Sequence, residues 1–100
     1  MPASYTVHIT PEAQADLNGI FAYISEDTPR NAQRLINKLL EEIDGLNMLP
    51  YRYRPPRTGR KQSEFVRSMP VGNYLVKYQI DEAAGAVFVL TVRHGARRRQ

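Results

Sequence analysis

Val87 to Val92 is a run of six residues without a charge, four of them Val or Leu, and Arg93, His94, Gly95, Ala96 and Arg97 follow it directly. Such a run predicts a β-strand covered on both faces in the middle of a sheet. The turn that leaves the strand is cationic. A rigid central strand with that exit holds a small polar cluster at a fixed place on the sheet's rim, and the rest of the chain reads as its support.

The preceding sequence supplies that support in a regular order. Tyr5 to Thr10 alternates, with Tyr5, Val7 and Ile9 on one side and Thr6, His8 and Thr10 on the other, as a half-buried first strand does. Thr10-Pro11 then starts a helix, because a Thr hydroxyl accepts from an orphan amide of the first turn and Pro at the first helical position loses no hydrogen bond. Glu12 and Asp16 suit the positive end of the helix dipole. Ala13, Leu17, Ile20, Phe21 and Ile24 form one apolar face over about four turns. Asp27-Thr28-Pro29 repeats the punctuation and predicts a second helix with a Thr cap. Its stripe of Ala32, Leu35, Ile36, Leu39, Leu40, Ile43 and Leu46 is the denser one. At roughly 1.5–3 kcal/mol gross for each buried Leu or Ile, it must supply much of the core. Arg34, Lys38, Glu41, Glu42 and Asp44 occupy the opposite, solvated face.

Asn47 to Lys61 has no period and contains Pro50, Pro55, Pro56 and Gly59, which predicts a long loop with several fixed dihedrals. Tyr51, Arg52, Tyr53, Arg54, Arg57, Arg60 and Lys61 are interleaved in it. Glu64 to Ser68 is a short strand candidate broken by Pro70 and Gly72. Tyr74 to Ile80 is a clear strand, with Tyr74, Val76, Tyr78 and Ile80 toward the core and Lys77 and Gln79 away from it. Asp81 to Gly85 forms the hairpin turn back into the final strand. The expected fold is α+β: an N-terminal strand, a two-helix hairpin, then a three-stranded antiparallel meander, with both helices packed on one face of the sheet.

One hundred residues suffice for a single core, so one domain over 1–100 is expected. There is no cysteine, which fits a reducing cytosol. The N-terminus shows no signal-peptide pattern and no run is long enough to span a bilayer, so a cytoplasmic protein without membrane attachment is expected. Charge is distributed unevenly. Residues 1–50 hold three basic and seven acidic side chains, while residues 51–100 hold eleven basic and three acidic, a net of −4 against +8. The second half therefore suits an acidic partner, either nucleic acid or an acidic protein segment. A merely solvated basic surface is the plain alternative. Arg with Tyr in a loop binds phosphates and stacks on bases, and equally anchors a protein interface.

Taken in order, these pieces resemble the ParE/RelE superfamily of bacterial toxins from type II toxin–antitoxin pairs. The resemblance covers nearly the whole chain. It rests on the first strand with Thr10-Pro11-Glu12-Ala13, the helical hairpin, the Pro-rich basic loop, Arg67 before Gly72-Asn73-Tyr74, and Tyr78-Gln79-Ile80. Above all it rests on Val92-Arg93-His94-Gly95-Ala96-Arg97, which is similar to the ParE branch. The resemblance implies a small basic toxin neutralised by a cognate antitoxin whose acidic, amphipathic C-terminal segment wraps it in a hetero-oligomer. ParE-branch members trap DNA gyrase on broken DNA and stop replication; RelE-branch members cut messenger RNA in the ribosomal A site. Fold does not separate a poison from a ribonuclease, so the site must.

RNA cleavage without a metal needs a base for the 2′-hydroxyl, cations for the phosphate and an acid for the leaving oxygen. His8 and His94 are the two histidines in the sequence, the residue type most used for such proton transfers. His8 sits on the outer side of the first strand and reads as a surface histidine. His94 lies beside Arg93 and Arg97, with Arg60 and Lys61 in the loop as phosphate-stabilising candidates. After Arg97 only Arg98, Arg99 and Gln100 follow, so the C-terminal Tyr of several RelE-like nucleases is missing. No paired His spacing suits a metal, and no Gly-rich loop follows a strand. No catalytic residue, metal or cofactor is therefore expected. Arg93, His94 and Arg97, with Arg57, Arg60 and Lys61 as a second cluster, are expected to contact gyrase. Two alternatives stay open: a ribosome-dependent endonuclease using His94, Arg93, Arg60 and Lys61, and a basic nucleic-acid-binding domain without toxicity.

Overall fold

The computed structural model describes residues 4–48, 50 and 66–95. Strand β1 (Thr6–Ile9) leads into helix α1 (Pro11–Ser25) and helix α2 (Pro29–Asp44), which ends in a 3₁₀ turn at Gly45–Asn47. Strands β2 (Val66–Val71), β3 (Tyr74–Asp81) and β4 (Ala86–His94) complete the sheet. The strand order is β1-β4-β3-β2. As expected, β2, β3 and β4 form an antiparallel meander, and β4 is an interior strand. The N-terminal strand pairs with β4 in parallel, Thr6 opposite Ala86 through Ile9 opposite Val89. A parallel neighbour needs a long crossover, and the helical hairpin is part of it.

The first helix starts as its sequence predicts: Thr10 Oγ1 accepts from the Ala13 amide at 3.2 Å, and Pro11 is the first helical residue. The second start differs. Thr28 holds the cap position with φ −138° and ψ 92°, yet its hydroxyl makes no capping bond; only its carbonyl joins the helix, accepting from the Ala32 amide at 3.0 Å. Ala13 and Leu17 from α1 meet Leu39, Ile43 and the following Leu46 over an inner sheet face of Met69, Val71, Val76, Tyr78, Ile80, Val87, Val89 and Val92. Tyr78 is fully buried, and its hydroxyl donates to the Pro50 carbonyl, the partner that a buried phenol requires.

Three strand expectations need correction. First, β2 runs through Pro70 instead of breaking before it, with Pro70 opposite Leu75. The reason is position: β2 is an edge strand, where the missing N–H of proline costs no ladder bond if it faces outward. Gly72 then takes the first place of the two-residue turn into β3 with φ +59°, a conformation that favours glycine. Second, β4 is not covered on both faces: Val87, Val89 and Val92 are buried, whereas Phe88, Leu90 and Thr91 are half-buried. Lys77 pairs with Thr91 but Tyr78 pairs with Val89, so Leu90 is an extra residue in a bulge. The bulge moves the inner face from one parity to the other. That switch requires apolar residues at both parities and produces the uninterrupted run. Third, Arg93 and His94 do not lie in a turn beyond the strand. They are its last two residues, opposite Leu75 and Tyr74.

Tyr5 is buried immediately before β1, and its hydroxyl donates to Glu82 Oε2 at 2.8 Å, joining the start of the chain to the β3–β4 turn. Burial raises the Tyr5 phenol above its ordinary value of 10.0, and the hydrogen bond to Glu82 and that carboxylate's charge act in the same direction. A group that holds its proton more tightly when folded contributes stability that is present below the unfolded value and lost as pH rises through the folded one. The urea midpoint should therefore fall as pH climbs past about 10. Tyr5→Phe should fall less steeply over the same range. Equal slopes for the two proteins would remove Tyr5 as the cause.

Candidate functional site

Beyond Val89 the β4 edge that faced β1 has no neighbouring strand among the described residues, because the β1–β4 pairing ends there. Helix α1 covers that edge. Thr10 Oγ1 donates to the Val89 carbonyl at 2.7 Å, and two turns later Asp16 Oδ2 accepts from the Val92 amide at 2.9 Å. The same carboxylate oxygen stands 3.9 Å from Arg93 Nε. On the other side of β4 the Gly95 amide donates to the Asn73 carbonyl at 2.7 Å, continuing the ladder past the strand end. A Cβ on residue 95 would lie 3.3 Å from that Asn73 oxygen and 3.4 Å from Leu75 Cγ, so the glycine allows a close approach.

Between α1 and the ends of β3 and β4 lies an open groove of about 700 Å³. Ala15, Asp16, Gly19, Ile20 and Tyr23 form its helical wall; Tyr74, Val92, Arg93 and His94 form its sheet wall. His94 meets Tyr74 edge to face, with ring centroids 5.1 Å apart and planes at 79°. The bulge at Leu90 decides this placement. Alternation counted from Val87 and Val89 would put Arg93 on the helix side; after the extra residue, Val92 and His94 share the face of Val76 and Tyr74. The Arg93 side chain is 71% exposed and Tyr23 is 78% exposed. Arg, His and Tyr on a rigid strand and helix can grip a carboxylate or phosphate and pack against an aromatic or aliphatic group.

Of the sequence-predicted contact residues, Arg93 and His94 come together at this groove. Arg57, Arg60, Lys61 and Arg97 lie outside the described residues. His8 is exposed and stacks on Phe88 at 5.1 Å, a surface histidine as expected. Sequence reasoning missed Asp16 as more than a dipole partner, took Tyr74 only as core, and did not single out Tyr23. For Asp16 and Tyr23 the signal is a second helical face: residues 16, 19, 20 and 23 follow helical spacing beside the core stripe of 13, 17 and 20.

A second, smaller groove of about 360 Å³ runs along the helical hairpin, lined by Gln14, Leu17, Asn18, Phe21, Ile36 and Leu40. Phe21 and Leu40 are 38% and 40% exposed there, more than their places in the apolar stripes implied. No helix among the described residues is long and apolar enough to cross a membrane.

The family profile described as ParE toxin of type II toxin–antitoxin system, parDE, matches residues 7–99. The chain belongs to the ParE toxin family. Its fold is similar to that of a chain from the chromosomal ParDE system of P. aeruginosa, with a TM-score of 0.73 and 14% identity over 93% of this chain and 98% of the other. It is also similar to a chain of the RelBE2 toxin–antitoxin complex from Mycobacterium tuberculosis, with a TM-score of 0.70 and 26% identity over 91% and 98% of the two chains. A chain of the archaeal RelE–RelB complex from Pyrococcus horikoshii OT3 gives a TM-score of 0.57 and 17% identity over 93% and 97%. No curated protein sequence matches the chain. The three chains thus share this architecture, and the groove at the end of β4 is built on it.

Proposed function

We propose that this ParE-family toxin inhibits DNA gyrase by protein–protein contact, without catalysis, and so blocks replication. The observation that supports this reading best is the commitment of Asp16. The carboxylate that lines the groove accepts from the Val92 amide and neighbours Arg93, so it is engaged in holding the strand. What the groove offers outward is an exposed Arg, a His and two Tyr, the residue types that anchor protein interfaces. Arg93 and His94 are the proposed contacts, with Arg97, Arg57, Arg60 and Lys61 joining them. Likeness to a chain of the RelBE2 complex favours a second reading, in which His94 and Arg93, with Arg60 and Lys61, serve an RNA-cutting site on the ribosome.

A cognate antitoxin is the proposed partner at rest. Exposed Phe21 and Leu40 on the helical hairpin give the amphipathic face of such a segment an apolar surface to bury. Binding to the folded chain alone would raise its apparent stability by mass action.

Purified toxin is expected to stop gyrase supercoiling and to leave a reporter message intact on translating ribosomes. Supercoiling left unaffected alongside codon-specific cleavage would replace the first reading with the second. DNA binding with a steep salt dependence, and neither activity, would favour the nucleic-acid-binding alternative. His94→Ala sharpens the result: it should weaken gyrase inhibition, whereas full potency would take His94 out of the contact.

A further inference from the structure

The end of β4 is held from both sides, and the two ties differ in kind. On the β3 side it is the ordinary ladder, extended by the Gly95–Asn73 bond of 2.7 Å. On the side that β1 vacates after Val89 there is no backbone partner from that strand, and the Val92 amide would face an open edge. Asp16 Oδ2 occupies that place at 2.9 Å from the amide. A carboxylate on an N–H is a charge-assisted bond, stronger than a neutral one. The second contact of the same oxygen, 3.9 Å to Arg93 Nε, is longer than a hydrogen bond, and the Arg93 side chain is 71% exposed against 26% for Asp16. An ion pair that open is a weak tie, so the Val92 bond carries the attachment and the Arg93 fork stays presented to the groove.

From this arrangement we infer that Asp16 is a positioning residue of the toxin: through the Val92 amide it fixes the direction in which Arg93 and His94 project toward the target. The inference rests on the reading of the β4 groove as the contact surface and holds whichever target that surface meets. A loose strand end would let Arg93 and His94 sample many directions, and each would have to be ordered again on binding. The α1 face that carries Asp16 also carries Gly19 and Tyr23, so the helix sets both the strand end and the opposite wall of the groove.

Two substitutions separate positioning from simple attachment. Asp16→Asn keeps an oxygen acceptor for the Val92 amide and removes the charge beside Arg93; Asp16→Ala removes both. Hydrogen exchange by NMR reads the Val92 amide directly, the core amides of Val76 and Val87 report the fold, and induction in cells reads growth arrest without presupposing a target. For Asp16→Ala, Val92 exchange should rise about tenfold or more and the dose needed for arrest should rise by a similar factor, with core protection kept. Asp16→Asn should recover most of both. Unchanged Val92 exchange in the Ala variant would overturn the inference, as would faster exchange with undiminished arrest, which would make Asp16 a structural tie only. Faster exchange throughout the core would also overturn it, since Asp16 would then serve the whole fold. Should wild-type toxin leave gyrase supercoiling intact while the Asp16 variants behave as stated, the gyrase reading falls and the positioning role stands.

Discussion

Truncating Leu39 to Ala is expected to lower the unfolding free energy by about 2–5 kcal/mol. Leu39 has no exposed surface and sits where α2 meets both α1 and the sheet, so the surrounding core cannot close the cavity without moving the helix. In a chain of 100 residues each kcal/mol displaces the thermal midpoint by about 4–8 °C, so a fall of at least about 8 °C should appear in a thermal melt. The neighbouring residue gives the control. Leu40 is 40% exposed at the hairpin groove, and Leu40→Ala should cost far less stability. Similar losses for both would mean that α2 is rotated about its axis relative to this structure. The same Leu40→Ala change should weaken antitoxin binding if the groove takes the antitoxin's apolar face.

Arg93→Ala is expected to leave the melt almost unchanged and to raise the concentration needed for half-inhibition of the target by about thirtyfold or more, the equivalent of a 2 kcal/mol anchor. The two halves of that expectation have different causes. The side chain is largely in solvent and its nearest carboxylate is 3.9 Å away, so folding gains little from it. A partner that covers the groove would desolvate the guanidinium and make its planar fork count. A loss of potency that merely follows a loss of stability would count against the contact role, and undiminished potency would exclude Arg93 from it.

Much of the fold was legible because its signals are local. Thr10-Pro11 starts a helix by chemistry contained within four residues, and the alternation of Tyr74, Val76, Tyr78 and Ile80 survives intact in β3. The same kind of signal misled at Thr28, whose side chain has the right type and position but makes no capping bond. It misled again at Pro70, because the rule against proline in a strand is relaxed at an edge, and being an edge is a property of the sheet. Periodicity found the stripe on α2 but did not distinguish buried Leu39 from half-open Leu40. Adjacent residues are 100° apart on the helix, and only the packed neighbours decide where the covered sector ends.

The candidate site shows the same division more sharply. Arg93 and His94 were visible as polar residues after an apolar run, and their place at the rim of an interior strand followed from that run. Their company was not visible. Asp16 is 76 residues from Val92 in sequence, and Tyr74 faces His94 because of a bulge that no residue type near Leu90 announces. By itself, then, the sequence determined the element types, the two apolar helix stripes, the basic end of the last strand and the family. The tertiary structure alone decided the parallel pairing of β1, the parity switch in β4, and the carboxylate that completes an edge where the first strand stops. The physical reason is range: capping and periodicity are settled within a turn or two of backbone, whereas register, bulges and edge partners exist only once distant segments are paired.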